Sequence, residues 1–311
     1  SNPTLINCTF TTNSADIRGG GMYNDVCSPI LTGCEFTSNS AEFGGGMYNR
    51  SGGPTLTNCT FASNLADSGG NDDEDDRHGG GMYNDDSRPT LTNCTFAINS
   101  AFRGGGMYNS NYRPTLIDCT FLNNSAADYG GGMYNGGSSP TLTNCVFTNN
   151  SAEFGGGMHN FSSSFISSSP TLANCTFMGN SADLGGGMSN DFSSPILTGC
   201  EFTGNSAVEH GGGMYNTNNS SPILSNSTFA NNSAKFGGGM WNGDFSSPGD
   251  FSSPTLTGCE FTGNSAEYGG GMYNNSSPIL AGCAFCENIA GNISGGWVDD
   301  GGNCLSIGCD D

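Results

Sequence analysis

The stretch Asn7–Asn24, NCTFTTNSADIRGGGMYN, decides the fold, because the chain keeps returning to it. It recurs as NCVFTNNSAEFGGGMHN from Asn144 to Asn160 and as GCEFTGNSAEYGGGMYN from Gly258 to Asn274. Eleven copies can be counted, each opened by a proline, from Pro3 to Pro278. Spacing between successive opening prolines is mostly 24–27 residues, with three longer intervals of 35, 30 and 32. A fixed period of this size marks a stacked-repeat architecture, since one unit cannot bury its own apolar face.

The segments inside each repeat are short, rich in Thr, Asn, Ser and Gly, and punctuated by turn residues. That composition favours short strands over helix pairs. The first strand is Thr4-Leu5-Ile6, with Leu inward under the period of two. Asn7, replaced by Gly33 in the next copy, is a turn residue suited to the left-handed conformation. Cys8-Thr9-Phe10 forms the second strand, with Cys and Phe inward. Asn13 marks a corner, and Gly20 to Asn24 supplies the third strand, with Met22 inward. Stacked turns then give columns of Leu, Cys, Phe, Ala and Met. The Phe column, Phe10 to Phe285, and the corner Asn column, Asn13 to Asn288, have no exception in eleven copies. The reading is all-β: a right-handed parallel β-helix of eleven turns and three short strands per turn over residues 1–285. Residues 286–311 are expected to form a distorted last turn and a C-terminal cap.

Phe-x-x-Asn followed by Gly-Gly-x-apolar resembles the chlamydial polymorphic membrane proteins and the wider group of secreted bacterial β-helix repeat proteins. The order of the two motifs matches in ten of the eleven copies. This chain departs in using GGGM where that family tends to use GGA-aliphatic, and it shows no membrane-barrel segment. The resemblance implies a β-helix at a cell surface or outside the cell, and brings adhesion into play. It names no ligand and no catalytic residue.

Composition narrows the partners. With seven Lys and Arg against 28 Asp and Glu, the net charge is −21. An acidic surface repels nucleic acid and anionic lipid. No apolar run approaches the roughly 18 residues of a membrane span. Of the 14 cysteines, ten occupy one column position, where they read as small buried apolar side chains. In the tail, Cys286 with Cys304 or Cys309 reads as a disulfide that pins the cap. Cys27, alone in a loop, is either free or bonded across a subunit junction.

Other features carry weaker chemistry. Asp72, Asp73, Glu74, Asp75 and Asp76 form an acidic run whose carboxylates are of the kind calcium takes, or a solvated loop. No other cofactor is implied. Tyr23, Tyr48, Tyr83, Tyr108, Tyr134, Tyr215, Trp241 and Tyr273 form an outward row, expected to be exposed, able to stack on sugar rings or on one another. His159 takes a Tyr position in that row and Ser189 leaves a gap. Asn49, Asn160, Asn218, Asn219, Asn274 and Asn275 open sequons near the loops and are candidate glycan acceptors. His78, His159 and His210 have no evident nucleophile partner, so no catalytic residue is assigned and no enzyme activity is expected.

The ends shape the functional expectation. The first turn carries the full inner set, and only Ser1 and Asn2 precede it. A second copy stacked head-to-tail would cover it, which predicts a non-catalytic extracellular filament subunit with itself as partner. The alternatives are an adhesin-like surface protein that binds carbohydrate or a cell surface, a polysaccharide-active enzyme, and an ice-binding face of outward threonines.

Overall fold

The computed structural model describes residues 2–67, 77–162, 168–243 and 251–306, and these form a right-handed parallel β-helix. Three long sheets run its length, with twelve, twelve and eleven strands. They are named here for the residue each turns inward: the Leu sheet, the Phe sheet and the Met sheet. Register is exact from turn to turn: Leu5 faces Leu31, Phe10 faces Phe36 and Met22 faces Met47. Residues beyond Cys286 continue the pattern, since Ile293–Gly295, Val298–Asp299 and Cys304–Ser306 each extend one sheet.

Left-handed residues set the corners: besides the position directly after the Met strand, as at Ser51, Asp86 and Gly137, three recur in each turn. Asn7, Asn58 and Asn144, with φ of 52–53°, end Leu strands, and Gly33 does the same at 61°. A second corner follows the Phe strand, at Asn123, Asn149 and Gly179. The third is the first glycine of GGG, such as Gly104 at 65°. Asn and Gly tolerate this region where other residues lose about 1–2 kcal/mol. Ile98 is a misfit, a β-branched residue held at φ 59° on the surface. The second and third glycines answer a different demand. A Cβ on Gly105 would lie 2.2 Å from the Ser125 carbonyl oxygen, and one on Gly106 would lie 2.9 Å from the Phe121 ring. The arm that carries the corner Asn presses against the Met strand there, and only glycine leaves room.

The interior is a set of columns. Successive Phe rings stack with centroids 4.5–4.9 Å apart. Their planes lie within 5° of parallel. Cys34 to Cys283 are buried free thiols, and each points at a carbonyl two residues earlier, as Cys145 does to Thr143 at 3.4 Å. Burial pushes the Cys34 thiol up from its ordinary pKa. Ser227 replaces Cys in one turn and keeps the same bond, to the Ser225 carbonyl at 3.1 Å.

The corner Asn column satisfies itself completely. Asn124 Oδ1 accepts from the backbone N–H and the Nδ2 of Asn99, at 3.0 and 2.9 Å. Its Nδ2 donates to the Phe96 carbonyl and to Asn150 Oδ1, at 2.9 and 3.0 Å. A second column, not anticipated from sequence, runs through the Asn of GGGMYN. Nδ2 of Asn24 donates to Oδ1 of Asn49, Asn49 to Asn84, and so on to Asn274, at 2.8–2.9 Å. Every member is buried.

Candidate functional site

In a Met strand the residue after Met points away from the interior. The outward row therefore has the expected direction but not the expected exposure. Tyr48, Tyr134, Tyr215 and Trp241 are buried, Tyr83, Tyr108 and Tyr273 are half-buried, and only Tyr23 stands open at 44%. The covering comes from the residue that precedes GGG. Phe43, His78, Arg103, Tyr129, Phe154, Leu184, His210, Phe236 and Tyr268 occupy that position and form parallel bridges with one another. His78 stacks on Tyr108 at 4.5 Å, and Phe43 meets Tyr83 edge-on at 5.7 Å. The flank is thus a second aromatic layer outside the coil, and stacking within the protein accounts for most of it.

The layer thins in its middle. Tyr134 is followed by His159 and then Ser189, so ring volume shrinks over successive turns. A cavity of about 170 Å³ opens there, lined by Arg103, Tyr129, Tyr134, His159, Phe161 and Asp191. Phe161 and Asp191 end the Met strands Met158–Phe161 and Met188–Asp191. Arg103 ends the arm Ser100–Arg103.

His159 is the unusual member. It is 2% exposed, it lies 4.6 Å from the Tyr129 ring and 5.5 Å from the Tyr134 ring, and among the described residues its Nδ1 has no hydrogen-bond partner. Burial, aided by the Arg103 charge, holds its pKa down to about 3. The imidazole is therefore neutral at ordinary pH, and one ring nitrogen is an acceptor. Beside it in the ladder, the buried Ser189 Oγ also lacks a partner among the described residues. A buried polar atom left unpaired costs about 1–3 kcal/mol, so two adjacent ones beside a cavity call for an explanation. Charge stands around the cavity. Arg103 Nε is 3.4 Å from Asp128 Oδ2, and its guanidinium lies 5.3 Å from the Tyr129 centroid. Asp191 Oδ1 accepts from Asn218 Nδ2 at 2.7 Å. Burial, with Asp128 nearby, pushes the Tyr129 phenol up, so it remains a neutral donor. Neutral donors and acceptors, ring faces and a charge of each sign thus line one cavity.

Several expected sites change. Asn49, Asn160 and Asn274 are buried members of the second Asn column, so they are not accessible glycan acceptors; their amides are committed to the neighbouring turns. Asn219 and Asn275 are exposed, and Asn218 is half-buried against Asp191. The acidic run Asp72 to Asp76 lies outside the described residues. Among the described residues no cluster of three or more His, Cys, Asp or Glu is placed to hold a metal. Cys286 is disulfide-bonded, Cys304 is exposed, and Cys309 lies outside the described residues. Cys27 is a free thiol, 3.9 Å from Asn24 Oδ1. Among the described residues no helix is long and apolar enough to cross a membrane.

Comparison with known proteins adds the following. The model of the right-handed β-helix region matches residues 1–177 and 165–309. No curated protein matches. Among solved structures, the chain is similar to the tailspike protein gp49 of Acinetobacter baumannii bacteriophage Fri1, a capsular polysaccharide depolymerase, at 12% identity and a TM-score of 0.33. That alignment covers 92% of this chain and 56% of the tailspike chain, so this chain spans little more than half the length of the protein it matches. The expectation of a non-catalytic head-to-tail filament subunit is corrected here. The half-buried Leu5, Phe10 and Met22 of the first turn are what any terminal solenoid turn shows, and they do not by themselves specify a second copy.

Proposed function

Because the chain belongs to the right-handed β-helix family, we propose that it is a polysaccharide-active protein of the cell surface or extracellular space, with its saccharide site in the pocket between Arg103 and Asp191. The observation that carries this reading is His159, buried and neutral in the lining of that pocket, with an Nδ1 that has no partner among the described residues. A sugar ring offers what the pocket lacks. Its hydroxyls donate to His159 and to the Asp191 carboxylate, and accept from Arg103. Its C–H faces rest on Tyr129 and Tyr134. At about 170 Å³ the cavity is below the roughly 300–1,000 Å³ of a drug-sized pocket, so one sugar unit or a side branch enters rather than a long segment. The extracellular placement draws on the resemblance of the repeat to the polymorphic membrane proteins.

The test is a polysaccharide panel read in two ways: retardation of the protein in polymer-containing gels, and release of new reducing ends or unsaturated products. Binding by the wild type that His159→Ala and Tyr129→Ala weaken about tenfold or more supports the reading. A panel without binding or turnover, or binding that both variants leave untouched, overturns it.

A further inference from the structure

The outer face of the Leu sheet is unlike the rest of the surface. Eleven strands, from Thr4–Ile6 to Ile279–Ala281, each turn their first and third residues outward around the Leu. Nineteen of these twenty-two positions are Thr or Ile, the others are Ala173, Ser225 and Ala281, and none is charged. The Phe sheet, by contrast, sets Glu35, Glu201 and Glu260 outward. Charge reaches the Leu face only at its rim, at Arg88, Arg113, Asp118, Asp299 and Asp300. Asp299 ends the twelfth strand, and its Oδ1 accepts from the Gly301 N–H at 2.9 Å and from Asn303 Nδ2 at 2.7 Å. The face gathers little twist, since successive Phe rings inside it differ in tilt by only 2–5°.

The exposed Ile and Val side chains of this face follow a pattern. With strands counted from the Thr4 end, Ile6 of the first is answered by Val298 of the twelfth. Ile30 of the second is answered by Ile279 of the eleventh, and Ile117 of the fifth by Ile196 of the eighth. Reversed end to end, the pattern falls back on itself; only Ile223 lands opposite a strand of threonines, Thr90–Thr92. That is the self-complementarity of a twofold pair, in which one residue meets a second and the second meets the first.

We infer that the Leu sheet is the interface of a pair of identical chains, lying face to face with their long axes antiparallel. An uncharged face is where two copies of net charge −21 approach with least repulsion. Charge also selects the orientation. From Pro114 onward sixteen Asp and Glu stand against Lys235 alone, and before it twelve stand against six cations. Antiparallel copies lay the more acidic half against the less acidic one, whereas parallel copies would oppose the two more acidic halves. The area suffices. Eleven strands at about 4.8 Å, with outward rows about 7 Å apart, make a face of about 50 by 11 Å, so a pair covers about 1,100 Å² in projection, above the roughly 1,000 Å² of a specific interface. Ile and Val then pack against Thr methyl groups, and Thr hydroxyls bond across the interface or to trapped water. The inference does not depend on the saccharide reading, because the His159 pocket lies on the Met-sheet flank.

Sedimentation equilibrium of the 311-residue chain from about 1 to 100 µM, at low and at physiological salt, tests this. The mass should rise to twice that of the monomer, at lower protein concentration when salt screens the like charges. Ile30→Lys or Ile279→Lys should weaken the pair at least about tenfold, since each sets a charge into the interface. Ile30→Thr combined with Ile279→Thr should weaken it about tenfold as well, and folding is secure there because Thr holds the same row position in seven other turns. Thr60→Lys on the Phe sheet, where other turns carry Glu35 and Glu201, should leave the pair unchanged. The deciding protein carries Ile30→Lys and Ile279→Glu in one chain. The two positions are nine strands apart, about 43 Å, too far to meet within a copy. Antiparallel copies bring them together twice and should recover most of the affinity lost to Ile30→Lys. A parallel pair would not, and a failure to recover overturns the arrangement. A monomer at every concentration and salt level, or association that all the Ile variants leave untouched, overturns the interface itself.

Discussion

The interior columns and the outer row of the Met sheet come from the same repeat, yet they tolerate change differently. Inside, Phe and the corner Asn recur in every copy, and each member's partner is its own counterpart one turn away. Outside, the row reads Tyr, His, Ser, Tyr, Trp, and its cover reads Phe, His, Arg, Tyr, Leu among others. A column of identical groups is strained by a single exception, because two neighbours lose their bonds at once. A row of mixed rings absorbs exceptions by leaving space. Space lined by unsatisfied groups is where we place the saccharide.

Four experiments would break or sharpen that contrast. Asn124→Ala should have the largest effect. It strands the N–H and Nδ2 of Asn99, the Phe96 carbonyl and one side of Asn150. At about 1–3 kcal/mol per orphan, at least about 4 kcal/mol of stability should go, read as a fall in the urea midpoint. An unchanged midpoint would mean the column is ornamental. Next comes Gly106→Ala, whose Cβ would lie 2.5 Å from the Gly132 carbonyl oxygen and 2.9 Å from the Phe121 ring. Overpacking of this kind costs about 1–3 kcal/mol, and thermal melting would detect it.

His159→Tyr restores the residue used in neighbouring turns and should act in the opposite sense. Stability should rise by about 1 kcal/mol as the ring fills the cavity, while saccharide affinity falls. The same pair of proteins yields a pH signature. His159 titrates near 6.5 when unfolded and at about 3 when folded. Between those values the unfolded chain takes up a proton that the folded chain refuses. The wild type should therefore lose stability relative to His159→Tyr as pH falls from about 6.5 towards 3, by up to about 1.4 kcal/mol per unit. Parallel pH curves would show that the imidazole is not held neutral. The smallest change is Ile98→Asn, which relieves a β-branched residue at φ 59° and should add about 1 kcal/mol. A loss of stability there would mean that the exposed Ile side chain has a contact worth more than the strain.

The interior was legible in the sequence because a period of fixed length stacks like on like. Leu5, Cys8, Phe10, Asn13 and Met22 could each be assigned a direction from one copy. What GGG approaches emerges only from the distances at Gly105 and Gly106. The flank was less legible. Its cover comes from the residue before GGG, which varies from copy to copy and so gives no column to read. Tyr48 and Trp241 therefore looked exposed although they are 2% and 1% accessible. The Asn of GGGMYN was read through its sequons because nothing local distinguishes an amide bonded one turn away from one facing water. His159 had a visible signal, the interruption of Tyr by His and then Ser, but its missing partner emerges only in three dimensions.

The two Asn columns also govern how this protein can change length. Each amide gives its proton towards the following turn and receives one from the turn before, so every storey offers the same plug and the same socket. Removing part of a storey would leave plugs facing nothing. Excising one whole, from one opening proline to the next, would let Asn99 meet Asn150 with nothing lost in between. Growth and shrinkage by entire storeys are the changes such a molecule accommodates with least disturbance, while the sites on its flank shift only in where along the rod they fall.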